Sequence, residues 1–233
     1  MKIISFKNLL FFLLFPSSMV AQQVMLSEDV AIDSTIAKRG PNRKHYTHSF
    51  MSFGLAADAG SAGAKVVQPR FDYFNFGIRY KRRLAEHFAV GFDLSYGLED
   101  YRLKQEAGKK LPDSLLNSRE RMIFNNFTTG LYMRFNFGKR GNQLGKYLDL
   151  GGYGNIVFGH THFLKNKLAD GSTVRARITG LNYYQLLNYG LSARLGFKKL
   201  VLFGQYRVSN MFYGDKNLPE LPRILAGVQF VLS

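Results

Sequence analysis

From Thr47 to the C-terminus, apolar and polar residues alternate with a period of two, the pattern of strands with one dry face. The cleanest run is residues 87–99, HFAVGFDLSYGLE. Phe88, Val90, Phe92, Leu94, Tyr96 and Leu98 share one parity; Ala89, Gly91, Asp93, Ser95, Gly97 and Glu99 share the other. Seven further segments read the same way: SFMSFGLAA from Ser49, YFNFGIRYK from Tyr73, NFTTGLYMRFNF from Asn126 and YLDLGGYGNIVF from Tyr147, then NYGLSARLGF from Asn188, LVLFGQYRVS from Leu200 and ILAGVQFVLS from Ile224.

The connections between these strands alternate in length. RRLAE, GKRGNQLGK and KK are short, whereas residues 58–70, 100–121, 159–179 and 210–222 are long. An up-and-down meander threaded through a bilayer sorts its loops in this way, with short turns at one end and long loops at the other. A soluble sandwich has no reason to do so.

Which parity faces inward follows from size and charge. The interior of an eight-stranded barrel is only just wide enough for side chains to fill it. Phe, Tyr, Leu and Met on nearly every strand would overfill it, whereas the opposite parity carries Gly54, Gly77, Gly91, Gly97, Gly130, Gly190, Gly196 and Gly227. That glycine-bearing parity also holds Arg79, Lys81, Asp93, Glu99, Arg134, Asp149, Arg194 and Arg207. Such charges are tolerable inside only as a paired network. The expected fold is an all-β, eight-stranded, antiparallel up-and-down transmembrane β-barrel. These eight residues form its polar lumen, while Phe74, Phe76, Phe88, Phe92, Leu131, Phe135, Leu191 and Phe230 face lipid.

Composition narrows the compartment. The N-terminus, MKIISFKNLLFFLLFPSSMVAQQ, has Lys2 and Lys7, then an apolar run too short to span a bilayer, then small residues. It reads as a signal peptide over residues 1–21, with Met19 at the −3 position, followed by a mobile periplasmic lead-in over 22–46 and the barrel over 47–233. The absence of cysteine excludes disulfides, thiolate chemistry and a lipid anchor on Cys. A net charge of +16 raises a nucleic-acid reading. The export signal and the lack of aromatics interleaved with the basic residues argue against it.

The segments YKRRLAEHFAVGFDLSYG, NNFTTGLYMRFNFGK, GKYLDLGGYG, NYGLSARLGF, QYRVSNMF and LPRILAGVQF resemble the small outer-membrane β-barrel domain proteins of Bacteroidetes-type Gram-negative bacteria, described as porin-like or PorT-like. The resemblance covers residues 47–233. It implies location in the outer membrane with both termini periplasmic, and insertion by the barrel-assembly machinery. It also implies a possible accessory role in protein secretion. That machinery reads a final strand that usually ends in an aromatic; here Phe230 keeps the parity and the chain ends Leu232-Ser233.

Candidate chemistry is sparse. His160 and His162 in GHTHF share one side of a strand, but no third ligand accompanies them, so no metal or cofactor is expected. His160 with Ser172 or Thr161 could be cast as a rim catalyst acting on lipid, although no orienting acid is visible. Arg82, Arg83, Lys139, Arg140, Lys146, Lys198 and Lys199 would ring the short-turn end, either drawn to anionic phospholipid heads or simply solvated. Lys165, Lys167, Arg175 and Arg177 could meet lipopolysaccharide phosphates. NFT at Asn126 has the glycosylation spelling but lies in a strand. The expectation is a non-enzymatic envelope protein with membrane lipids and an unspecified envelope protein as partners. The alternatives are a lipid-modifying enzyme working at the rim and a soluble lipocalin-like carrier.

Overall fold

The computed structural model describes residues 40–68, 71–137, 144–168 and 171–232. The signal-peptide and lead-in assignments up to residue 39, and Lys139 and Arg140 of the basic turns, lie outside the described residues. Nine strands form one antiparallel sheet: β1 His45–Ala56, β2 Tyr73–Arg83, β3 Phe88–Leu103, β4 Arg119–Phe137, β5 Lys146–Lys167, β6 Thr173–Thr179, β7 Leu187–Phe197, β8 Leu200–Arg207 and β9 Ile224–Leu232. Among the described residues a 3-10 turn, Gly214–Lys216, interrupts the β8–β9 loop, and no α-helix occurs.

The strand order is β4-β3-β2-β1-β9-β8-β7-β5-β6, and β4 also pairs with β5. Eight strands therefore close into a ring, with β6 outside it on the far half of β5. Closure matters physically, because every ring strand finds two partners and no ring edge is left with unpaired backbone groups. Sequential antiparallel neighbours put the short connections after β2, β4 and β7 at one end. The long ones after β1, β3 and β8, together with the β6 excursion, lie at the other.

Several features differ from the sequence expectation: β3 runs on to Leu103 and β4 starts at Arg119, so both ends of the loop expected over 100–121 are strand. β1 begins at His45, so the sheet starts two residues before Thr47. The long connection over residues 159–179 is mostly a β5–β6 hairpin. The reason is a bulge: Asn126 pairs with Val157 but Asn125 pairs with Gly159, so Phe158 is the extra residue. One inserted residue flips the parity of everything beyond it, which ends a period-2 run in the sequence without ending the strand.

The interior is packed by aromatic side chains lying over glycines. Gly91 sits directly opposite Tyr132, and a Cβ there would lie 2.5 Å from the phenol oxygen. Gly190 faces Tyr153 in the same way, where a Cβ would come within 2.8 Å of the hydroxyl. These glycines are small because a ring occupies the space.

At the long-loop end the loops fold inward. Ala64, Val66, Leu111, Leu181, Phe212 and Leu221 join Tyr101, Leu103, Met122 and Phe124 from the strands in one buried apolar cluster. The backbone ties them down, with Val67 N–H donating to Arg102 O at 2.8 Å and Gln185 N–H to Met211 O at 2.8 Å. The result is a lid of ordinary hydrophobic core over one mouth of the ring.

Candidate functional site

All eight charged residues of the glycine-bearing parity are buried inside the ring. They fall into separate groups along its axis. Nearest the short turns, Arg134, Asp149 and Arg194 stand directly opposite one another on β4, β5 and β7. Arg134 donates to both carboxylate oxygens of Asp149, Nε to Oδ1 at 2.6 Å and Nη2 to Oδ2 at 2.8 Å, and its guanidinium lies 3.6 Å from the centre of the Tyr147 ring. Lys81 donates to the Pro41 carbonyl and lies over Tyr46, so residues just before β1 cover this mouth.

One level further along, Asp93 accepts from two arginines. Arg79 reaches it from the adjacent strand (Nε to Oδ2, 3.4 Å), and Arg194 reaches across the interior from β7 (Nη1 to Oδ2, 2.8 Å). Arg79 also donates through Nη2 to Gln229 Oε1 at 3.1 Å and rests on Phe50. This crosslink joins β2, β3, β7 and β9 through side chains alone. Removing one member of such a buried set strands the others, at a cost of about 3–5 kcal/mol. Beside it is a cavity of about 20 Å³, room for roughly one water. The Arg79 Nη1, Ser192 Oγ and Gln229 Nε2 atoms that border it have no protein partner among the described residues.

Glu99 and Arg207 are not part of that crosslink. Glu99 accepts from Tyr101 Oη at 2.8 Å and Asn126 Nδ2 at 3.1 Å. Arg207 pairs with Glu220 (Nη1 to Oε2, 2.8 Å) and donates to the Leu221 and Pro222 carbonyls, holding the β8–β9 loop over the mouth. Glu220 could not be found from the sequence, because it lies in an aperiodic loop. Tyr132 and Tyr147 carried a usable signal, since each shares the charge-bearing parity of its strand with Arg134 and Asp149.

Outward, Phe76, Phe92, Leu131, Phe135, Leu191 and Phe230 are exposed, Leu131 and Leu191 by 70% and 61%. Phe74 and Phe88 are half-buried, each against a neighbouring ring, Phe53 at 5.5 Å and Phe135 at 5.4 Å. Both faces then change character at one level. On β3 the inward residues run from Asp93, Ser95 and Glu99 to Tyr101 and Leu103, while the outward ones run from Leu94, Tyr96 and Leu98 to Asp100 and Arg102. On β4 the inward residues run from Arg134, Thr128 and Asn126 to Phe124, Met122 and the buried Glu120, and the outward ones from Leu131 and Phe127 through Asn125 and Ile123 to Arg121 and Arg119. The two strands are in register across this change, Gly97 opposite Asn126 and Tyr101 opposite Met122.

The histidine candidates lie beyond that level and are not brought together with Ser172. His162 Nε2 contacts Glu120 Oε1 at 2.7 Å in a buried cluster. Lys109, Gln105 and Asn117 donate to the other Glu120 oxygen. Burial pushes the Glu120 carboxyl up, but the bonds from His162, Lys109 and Gln105 outweigh it and hold the group below the usual range. His160 Nε2 accepts from the Leu181 N–H at 2.6 Å, and burial lowers its pKa. Ser172 lies past the far end of β5, about 24 Å from His160 at the rise of an extended strand. The described residues hold no group of three or more His, Cys, Asp or Glu able to take a metal ion. No protein-family model matches the chain, and no curated protein matches it.

Proposed function

We propose that the chain is an integral outer-membrane β-barrel protein with a side-chain-filled lumen. On this reading it is a non-enzymatic element of the Gram-negative envelope that presents a folded loop cap to lipids and partner proteins. The observation that carries the reading is the joint reversal of polarity on β3 and β4. A strand buried in a soluble core keeps its apolar face inward along its whole length. Here the outward face is apolar for one stretch and mostly charged beyond it, while the inward face passes from mostly polar and charged to mostly apolar, with Glu120 and His162 as a buried polar pair in the far section. Such a reversal is expected where the outer medium changes from hydrocarbon to water.

The size of the apolar stretch fits a bilayer. Outward apolar residues run over 88–98 on β3, 127–137 on β4, 148–158 on β5 and 187–197 on β7. Ten residue steps cover about 34 Å of strand, or about 26 Å of height at a tilt near 40°, which matches the apolar band of outer-membrane barrels. The exposed Phe, Leu, Met and Ile side chains also make a patch too extensive for a monomer in water. A wide pore is excluded by the packed interior, so transport of solutes much larger than water is not part of the proposal. The resemblance to porin-like and PorT-like barrels belongs to the same reading.

The test is fractionation of cells expressing the chain. Retention in the outer membrane after carbonate washing, with a gel mobility that shifts only on boiling, is the expected result. Release into the soluble fraction would refute the assignment and favour a carrier.

A further inference from the structure

We infer that the outward face of the β4–β5–β6 extension is a binding surface for the phosphorylated sugar head of a glycolipid. The strands that project beyond the apolar belt place basic residues directly side by side. Arg119 on β4, Lys165 on β5 and Arg175 on β6 form one cross-strand row. The neighbouring row on the same face is Arg102, Arg121, Phe163 and Arg177. Like charges directly opposite one another destabilise a sheet. An anion held on this face would relieve that repulsion. Arg121 is paired with Asp100 and Arg119 has a partner of its own, while Arg102, Lys165, Arg175 and Arg177 have no acidic side chain within ion-pair distance among the described residues. All seven residues of β6 are exposed, so this face is open to solvent.

The height of the patch selects the occupant. Below it, at the top of the apolar belt, Tyr96, Phe127 and Phe158 pack together, with Phe127 and Phe158 stacked at 4.6 Å. Arg102 lies four residues past Leu98, and Arg119 eight residues past Phe127. At the rise and tilt used above, the basic rows stand about 10–20 Å beyond the hydrocarbon edge. A glycerophospholipid carries its phosphate close to that edge. A phosphorylated oligosaccharide head carries phosphate through the depth at which these rows lie, and arginine pairs with phosphate oxygens in bidentate fashion.

The inference rests on the outer-membrane reading, and the test keeps the two apart. The protein is purified from membranes in nonionic detergent, and its gel shift on boiling is confirmed first for every variant. Binding is then titrated with a phosphorylated lipopolysaccharide, the same glycolipid after enzymatic dephosphorylation, phosphatidylglycerol, inorganic phosphate and a polyglutamate peptide. The expected result is tightest binding to the phosphorylated glycolipid, weakened at least about tenfold by the Lys165→Gln/Arg175→Gln pair or by dephosphorylation. Lys198→Gln/Lys199→Gln at the opposite end should leave it unchanged. Equal binding by the wild type and the Lys165→Gln/Arg175→Gln variant would overturn the inference. So would equal affinity for phosphatidylglycerol, free phosphate or polyglutamate. In each of these cases the intact gel shift would leave the barrel assignment standing.

Discussion

The two ends of β3 and β4 are built from the same strands by opposite rules. Around Asp93 and Arg134 the interior is a set of buried ions and the exterior is Phe92 and Leu131. Around Tyr101 and Met122 the interior is mostly apolar, with the Glu120–His162–Lys109 cluster set into it, and the outward side chains are Arg102 and Arg121. The β3–β4 register continues without interruption from Phe88 opposite Phe135 to Leu103 opposite Glu120, while the bulge at Phe158 lies on the neighbouring β5. On the outer-membrane reading proposed above, what changes is the medium on the outside. In water, burial of apolar groups pays for folding, so the upper section has an ordinary core. In hydrocarbon that gain vanishes, and packing, hydrogen bonds and ion pairs must organise the lower section.

The largest way to break the comparison is to remove a shared acid from the lower section. Asp93→Ala leaves Arg79 and Arg194 facing each other with no carboxylate between them. It should lower the stability of the folded protein in detergent by about 3–5 kcal/mol, read from its urea unfolding midpoint. A loss below about 1 kcal/mol would mean that the arginines are hydrated and the interior is wet.

The outward face gives a paired test. Leu131→Arg puts a cation in the middle of the belt and should cost about 2–4 kcal/mol in a bilayer. Arg175→Leu makes the reverse change on the extension and should alter stability by less than about 0.5 kcal/mol. Equal effects at the two positions would remove the distinction between the sections.

The smallest effect is confined to the cap. The Glu120 carboxyl is held below its ordinary range, so its stabilisation is complete above that range and is lost as pH falls through the lowered value. Amide exchange over 105–118 and 160–166 should quicken as pH drops below the ordinary carboxylate range, after correction for the intrinsic rate, while the strands of the belt stay protected. Glu120→Gln should flatten that response.

The ring was legible because its evidence is local and repetitive. Alternation gave each strand, and loop lengths gave the direction of the chain. The crowding of Phe and Tyr against glycine gave the faces. The β5–β6 hairpin was hidden by a single inserted residue at Phe158, which broke the alternation where the strand continues. Arg175 and Arg177 were visible as basic residues, but their alignment with Lys165 and Arg119 depends on a register that sequence does not state. The grouping of the interior charges was equally out of reach. Arg207 looks like the other arginines in sequence, yet its acid is Glu220, supplied by a loop.

The proposed change of medium along β4 can be tested directly, since the chain contains no cysteine and single cysteines can be introduced without background. Cysteine is placed in turn at 121, 131 and 135, and the folded protein in lipid vesicles is exposed to a water-soluble maleimide. In parallel, a fluorophore at each site is quenched by spin-labelled lipid chains. The expected result is rapid maleimide labelling at 121 with little quenching, and the reverse at 131 and 135. Rapid aqueous labelling at 131, without quenching by lipid, would contradict the assignment of the belt to hydrocarbon.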